Sequence, residues 1–107
     1  MPHTERRTAR RFNMRLPLKV RMEGAAPGEQ MTESEDVSSR GVYFYLPKEV
    51  KKGADVEIMM TLPHEITLAG PVRVRCMGRI HRTERRGDQK VGVVAAIERY
   101  EFLRGEV

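Results

Sequence analysis

The 107-residue chain has no tryptophan, one cysteine, and only three tyrosines and three phenylalanines. The lone Cys76 excludes an intramolecular disulfide and any cysteine-rich zinc site. Its three histidines, His3, His64 and His81, lie far apart, without metal-ligand spacing. No run approaches the ~18 apolar residues of a membrane-spanning helix. The N-terminus, MPHTERRTARR, is polar and basic, with no hydrophobic segment behind it as a secretory leader would have. A soluble, cytoplasmic protein without membrane insertion is expected. A glycine-rich phosphate loop is also missing. Ser38 and Ser39 lack a nucleophile elbow, nothing near Cys76 would activate its thiol, and no carboxylate pair stands out for acid–base work. The sequence therefore offers no catalytic residue, no metal site and no cofactor, and does not read as an enzyme.

What the chain does have is an uneven charge. Lysine and arginine total 20 against 15 acidic residues, a formal charge of +5. Residues 1–21 hold seven basic side chains (Arg6, Arg7, Arg10, Arg11, Arg15, Lys19 and Arg21) against the single acid Glu5. Residues 22–39 then carry Glu23, Glu29, Glu33, Glu35 and Asp36 with no basic residue. An excess of this kind suits an anionic partner: a nucleotide, a nucleic acid, an acidic protein surface or anionic lipid.

Beyond the arm, period-two alternation prevails. Met14, Leu16, Leu18, Val20 and Met22 alternate with mostly polar residues, as do Val56, Ile58, Met60 and Leu62, and Val72, Val74, Cys76, Gly78 and Ile80, the exceptions being Pro17, Met59 and Met77. Val42, Phe44 and Leu46 alternate with tyrosines, and residues 91–97 are apolar on both faces. Turn signals separate these runs, and Arg86-Gly87-Asp88 reads as a hairpin. Pro17 falls on an outward face, where an edge or a bulge tolerates its missing N–H. Residues 98–107 read as a short terminal helix. The expected fold is all-β: a basic arm over residues 1–13, then a small antiparallel barrel of roughly six strands with a short C-terminal helix over residues 14–107.

Two local features stand out. The arm carries Arg6-Arg7-Thr8-Ala9-Arg10-Arg11-Phe12, and arginine's planar fork of donors suits phosphate oxygens and the O6/N7 edge of guanine equally. Four arginines in six residues repel one another, so the free arm is expected to be flexible. The second feature is Asp36-Val37-Ser38-Ser39-Arg40-Gly41, whose residue types stabilise tight turns. Asp36 there could accept from the N1–H and N2–H₂ donors of a guanine, with Ser38 offering a hydroxyl. Each feature alone reads as readily as a solvated basic tail or an ordinary turn.

Together and in this order they resemble the PilZ domain, whose pattern is Arg-x-x-x-Arg in an N-terminal arm followed by Asp/Asn-x-Ser-x-x-Gly. The second half matches as Asp36, Ser38 and Gly41. The first half matches twice, as Arg6 with Arg10 and as Arg7 with Arg11; the latter register is preferred because Phe12 supplies the apolar residue that follows. The resemblance implies a bacterial receptor for cyclic di-guanosine monophosphate, with the arm wrapping the ligand against the barrel. Arg7 and Arg11 would contact phosphate and guanine, Asp36 and Ser38 a guanine, and Gly41 would shape the turn. Arg6, Arg10 and Arg40 are additional candidates, and the ligand could bind singly or as a stacked pair. Ordering of the arm would then signal to a downstream protein partner or through a homodimer. Two other readings stay open: a PilZ-like protein-interaction module that binds no nucleotide, and a nucleic-acid-binding barrel using Arg73, Arg75 and Arg79. The last lacks the aromatic platforms on which bases usually stack.

Overall fold

A strand that buries one face needs apolar residues at every second position, and all four alternating runs put those residues into one interior, joined by the apolar run that begins at Val91. The computed structural model describes residues 11–22, 28–88 and 90–103. Six strands form there: β1 (Pro17–Met22), β2 (Glu29–Val37), β3 (Gly41–Leu46), β4 (Asp55–Leu62), β5 (Val72–Arg85) and β6 (Val91–Leu103). All neighbours are antiparallel, and the sheet closes on itself in the order β1-β2-β3-β6-β5-β4. Closure leaves no long unpaired edge around the barrel body. Leu18, Val20, Phe44, Ile58, Val74, Ile80, Val93 and Ala95 are almost fully buried and form its centre. Pro17 opens β1 and is exposed, a position where its missing N–H goes unused.

Alternation did not reveal β2, which runs through the acidic stretch. Its inward positions are taken by Gln30, Thr32 and Ser34, and the two hydroxyls find partners on neighbouring segments. The Thr32 hydroxyl donates to the Tyr45 carbonyl at 2.6 Å. Ser34, 2% exposed, donates to the Met14 carbonyl at 2.6 Å and accepts from the Leu16 N–H at 2.9 Å. These bonds let a polar strand occupy the wall without leaving unpaired groups inside.

The expected C-terminal helix does not form over residues 98–103. β6 instead continues to Leu103 as the partner of β5, pairing Tyr100 with Cys76 and Phe102 with Val74. The cause is a register shift between Met77 and Gly78, which gives β6 one extra residue, Glu98. Beyond it Tyr100 and Phe102 resume period-two spacing. The helix that does occur is a single turn, α1 (His64–Thr67), in the β4–β5 connection. Residues 104–107 lie outside the described part. The expected β5–β6 hairpin is present, its turn closed by the Arg86 N–H donating to the Lys90 carbonyl at 2.8 Å.

Candidate nucleotide site

The hexapeptide from Asp36 to Gly41 divides between strand and turn. Asp36 and Val37 end β2, Gly41 starts β3, and only residues 38–40 make the bend. Ser38 holds that bend together. Its N–H donates to the Gly41 carbonyl at 2.9 Å, and its Oγ accepts from the N–H groups of Arg40 and Gly41, both at 3.2 Å.

A bulge in β2 decides where Asp36 points. Ser34 pairs with Phe44 and Asp36 with Tyr43, so Glu35 is an extra residue between them. In a regular strand Ser34 and Asp36 would share a face. The extra residue reverses the phase, so Val37 is buried at 6% exposure and Asp36 joins Tyr43 on the outer surface. Without the bulge a carboxylate would face the core.

The arm reaches this place through one antiparallel bridge. The Phe12 N–H donates to the Val37 carbonyl at 2.8 Å, and the Val37 N–H donates to the Phe12 carbonyl at 2.9 Å. Antiparallel sense sets Arg11 level with Ser38 and Asn13 level with Asp36. Arg11 is exposed and Asp36 partly so, both open to a solute on the outer face. Arg6, Arg7 and Arg10 lie outside the described residues. Arg40 is exposed at the tip of the turn, where its carbonyl accepts from the Ile97 N–H at 2.9 Å.

Gly41 has a reason to be glycine that the sequence did not disclose. A Cβ there would stand 2.8 Å from the Ala95 carbonyl oxygen on β6, so the close approach of β3 to β6 demands a bare backbone. Among the described glycines positive φ occurs at Gly53 and Gly87, not at Gly41.

Below the turn, the mouth of the barrel encloses an apolar cavity of about 380 Å³. Phe12, Val42, Met60, Ile66, Cys76 and Phe102 are among its walls. The Tyr100 hydroxyl spans the rim and donates to the Ser39 carbonyl. Burial pushes the Tyr100 phenol up to about 12, with a smaller contribution from Cys76, and pushes the Cys76 thiol up to about 12 as well. Such a thiol is protonated at neutral pH and is no nucleophile.

The basic face of β5 is not the open cationic strip that its sequence implied. Arg75 Nε lies 3.0 Å from Glu57 Oε2, paired in charge but not aligned for a hydrogen bond, and its Nη1 donates to Glu101 Oε1 at 3.0 Å. Arg79 stands 3.5 Å from both Asp55 and Glu98. Carboxylates from β4 and β6 thus neutralise two of the three arginines. Among the described residues no three His, Cys, Asp or Glu side chains converge as a metal site, and no helix is long and apolar enough to cross a membrane.

This barrel, with its arm bridged to β2 beside an outward aspartate, has a counterpart among known families. The model of the PilZ domain matches residues 5–102. The chain belongs to the PilZ domain family. A solved structure, the Bacillus subtilis inhibitor of motility (MotI/DgrA), superposes with a TM-score of 0.69 at 16% identity. The match covers 86% of this chain and 42% of that one, so at this identity it speaks for the PilZ fold alone. No curated protein matches the chain.

Proposed function

We propose that this PilZ domain is a receptor for cyclic di-guanosine monophosphate, acting as a binding and effector module and not as an enzyme. The observation that carries the reading is the Phe12–Val37 bridge, which holds Arg11 level with Ser38 and beside the outward Asp36. A guanine needs an acceptor for its N1–H and N2–H₂ and a donor for its O6 and N7; Asp36 and Arg11 offer those two chemistries within one patch. The remaining arm arginines, Arg6, Arg7 and Arg10, together with Arg40 at the turn, supply forked donors for the two phosphates. Ser38 and Gly41 act mainly by holding the turn to which these groups are attached.

An anionic ligand relieves repulsion among the arginines, so binding and ordering of the arm are one event, and the ordered arm is the surface offered to a downstream protein or to a second copy. Nucleic-acid binding is disfavoured by the ion pairs that cover Arg75 and Arg79.

Calorimetric titration with cyclic di-guanosine monophosphate tests the reading. Saturable heat from the wild type, lost in Arg11→Ala, is the expected result, and the stoichiometry separates one ligand from a stacked pair. A wild type that gives neither heat nor thermal stabilisation at high ligand concentration overturns it.

A further inference from the structure

Asp36 is not alone on the outer face. Its cross-strand partner Tyr43 is followed two residues on by Tyr45, with ring centroids 5.4 Å apart and planes tilted by 49°. Tyr43 lies across β6 at Gly92, where a Cβ would come within 2.8 Å of its hydroxyl, so this glycine is the floor on which the ring rests. The β5–β6 turn brings two cations to the same rings. Arg86 Nη2 donates to the Tyr43 hydroxyl at 3.2 Å, and Lys90 Nζ stands 4.5 Å from the centre of the Tyr45 ring. Beside Tyr45 and Lys90 a polar groove of about 500 Å³ runs along β2, carrying Arg15 and also Glu33 and Glu35.

We infer that Tyr43 and Tyr45, with Arg86 and Lys90, form a second subsite continuous with Asp36, which takes a purine base and an adjoining phosphate of the nucleotide ligand. This rests on the receptor reading above and extends it to an element the arm-and-turn motif does not include, the β5–β6 turn. The mixed charge of the groove fits such a ligand better than a simple anion. Cations suit the phosphate, the carboxylates of Glu33 and Glu35 suit the donor edge of a guanine, and tyrosine rings suit its π-face. Arg86 and Lys90 rest on the tyrosines, one on a hydroxyl acceptor and the other on a ring quadrupole. A phosphate is the stronger partner, so binding draws both cations off the rings and frees the ring faces for stacking.

Both turn cations are exposed, so a double Arg86→Ala, Lys90→Ala variant should keep the fold, to be checked by thermal unfolding. Calorimetry with cyclic di-guanosine monophosphate would compare it with the wild type and with Arg11→Ala. Loss of two charge-assisted contacts is expected to weaken binding by about tenfold or more. In ¹³C-edited spectra of the wild-type aromatic rings, the Tyr43 and Tyr45 signals are expected to shift on binding. A wild type that binds and loses binding with Arg11→Ala, while the double variant binds equally well and the Tyr43 and Tyr45 signals stay still, overturns the subsite and leaves the receptor reading standing. A wild type that does not bind overturns both.

Discussion

Ser34 has both sides of its hydroxyl engaged within the barrel wall, joining β2 to Met14 and Leu16 at the base of the arm. A single buried oxygen thereby satisfies a carbonyl and an N–H that no strand partner meets through that contact. Ser34→Ala leaves both groups wanting, and the expected loss is about 1–3 kcal/mol of folding free energy. Urea unfolding would show a lower midpoint with an unchanged slope. A change below about 0.5 kcal/mol, the range of neutral surface substitutions, would mean that water or backbone shifts replace the hydroxyl at no cost. In the sequence Ser34 is one polar residue in an acidic run, and nothing local marks it. Ser38 and Gly41 were legible as a motif, yet the structure gives each a physical task within the fold: one closes the turn, and the other lets β3 approach β6.

At the scale of strands, the extra residue in β2 is what converts a sequence motif into a surface. Deleting Glu35 would leave Ser34 and Asp36 adjacent, so a regular ladder would still set Asp36 opposite Tyr43 on the outer face. The deletion removes only the residue without a cross-strand partner, and urea unfolding should show a folded barrel, as it should for Glu35→Ala, which keeps the bulge. A deletion variant that does not fold would show that the barrel needs the bulge itself and not only the phase it sets. The same feature explains which strands could be read in advance. β1, β3, β4, β5 and the first half of β6 advertise themselves because apolar side chains fill their inward positions. β2 does not, since its inward residues are Gln30, Thr32 and Ser34 and a bulge breaks its period. The far half of β6 misled for a related reason. Glu98 shifts the phase, so Tyr100 and Phe102 fall out of step with Val93 and Ala95, and a short charged segment then resembles an exposed helical turn. Only the presence of β5 alongside, with Arg79 ready to meet Glu98 and Arg75 ready to meet Glu101, holds it as a strand. The pairing of Arg75 and Arg79 on β5 could not be read in advance for the same reason, because the carboxylates that meet them come from other strands.

Over the whole molecule, charge and core are separated along the chain. The described core begins at Leu16 and ends at Ala95, with partly buried Met14 and Ile97 at its margins. Arg6, Arg7, Arg10 and Arg11 all precede it. Within the barrel, Arg21, Arg75 and Arg79 are met by carboxylates. The arm concentrates four arginines against the single Glu5, an excess that can draw in an anion from a distance. If the arm serves the ligand and not the fold, removing residues 1–11 should cost the barrel less than about 1 kcal/mol, since Phe12 keeps its bridge to Val37 and no described core residue is lost. The same truncation should weaken binding of cyclic di-guanosine monophosphate by about a hundredfold or more, because it strips the forked donors that meet the phosphates. Unfolding curves and titrations on the full chain and the truncated one measure both quantities. A truncated barrel that unfolds far more easily would make the arm a structural element. One that stays folded and binds as well as the full chain would move the recognition of phosphate onto Arg40, Arg86 and Lys90, the cations that the barrel itself retains.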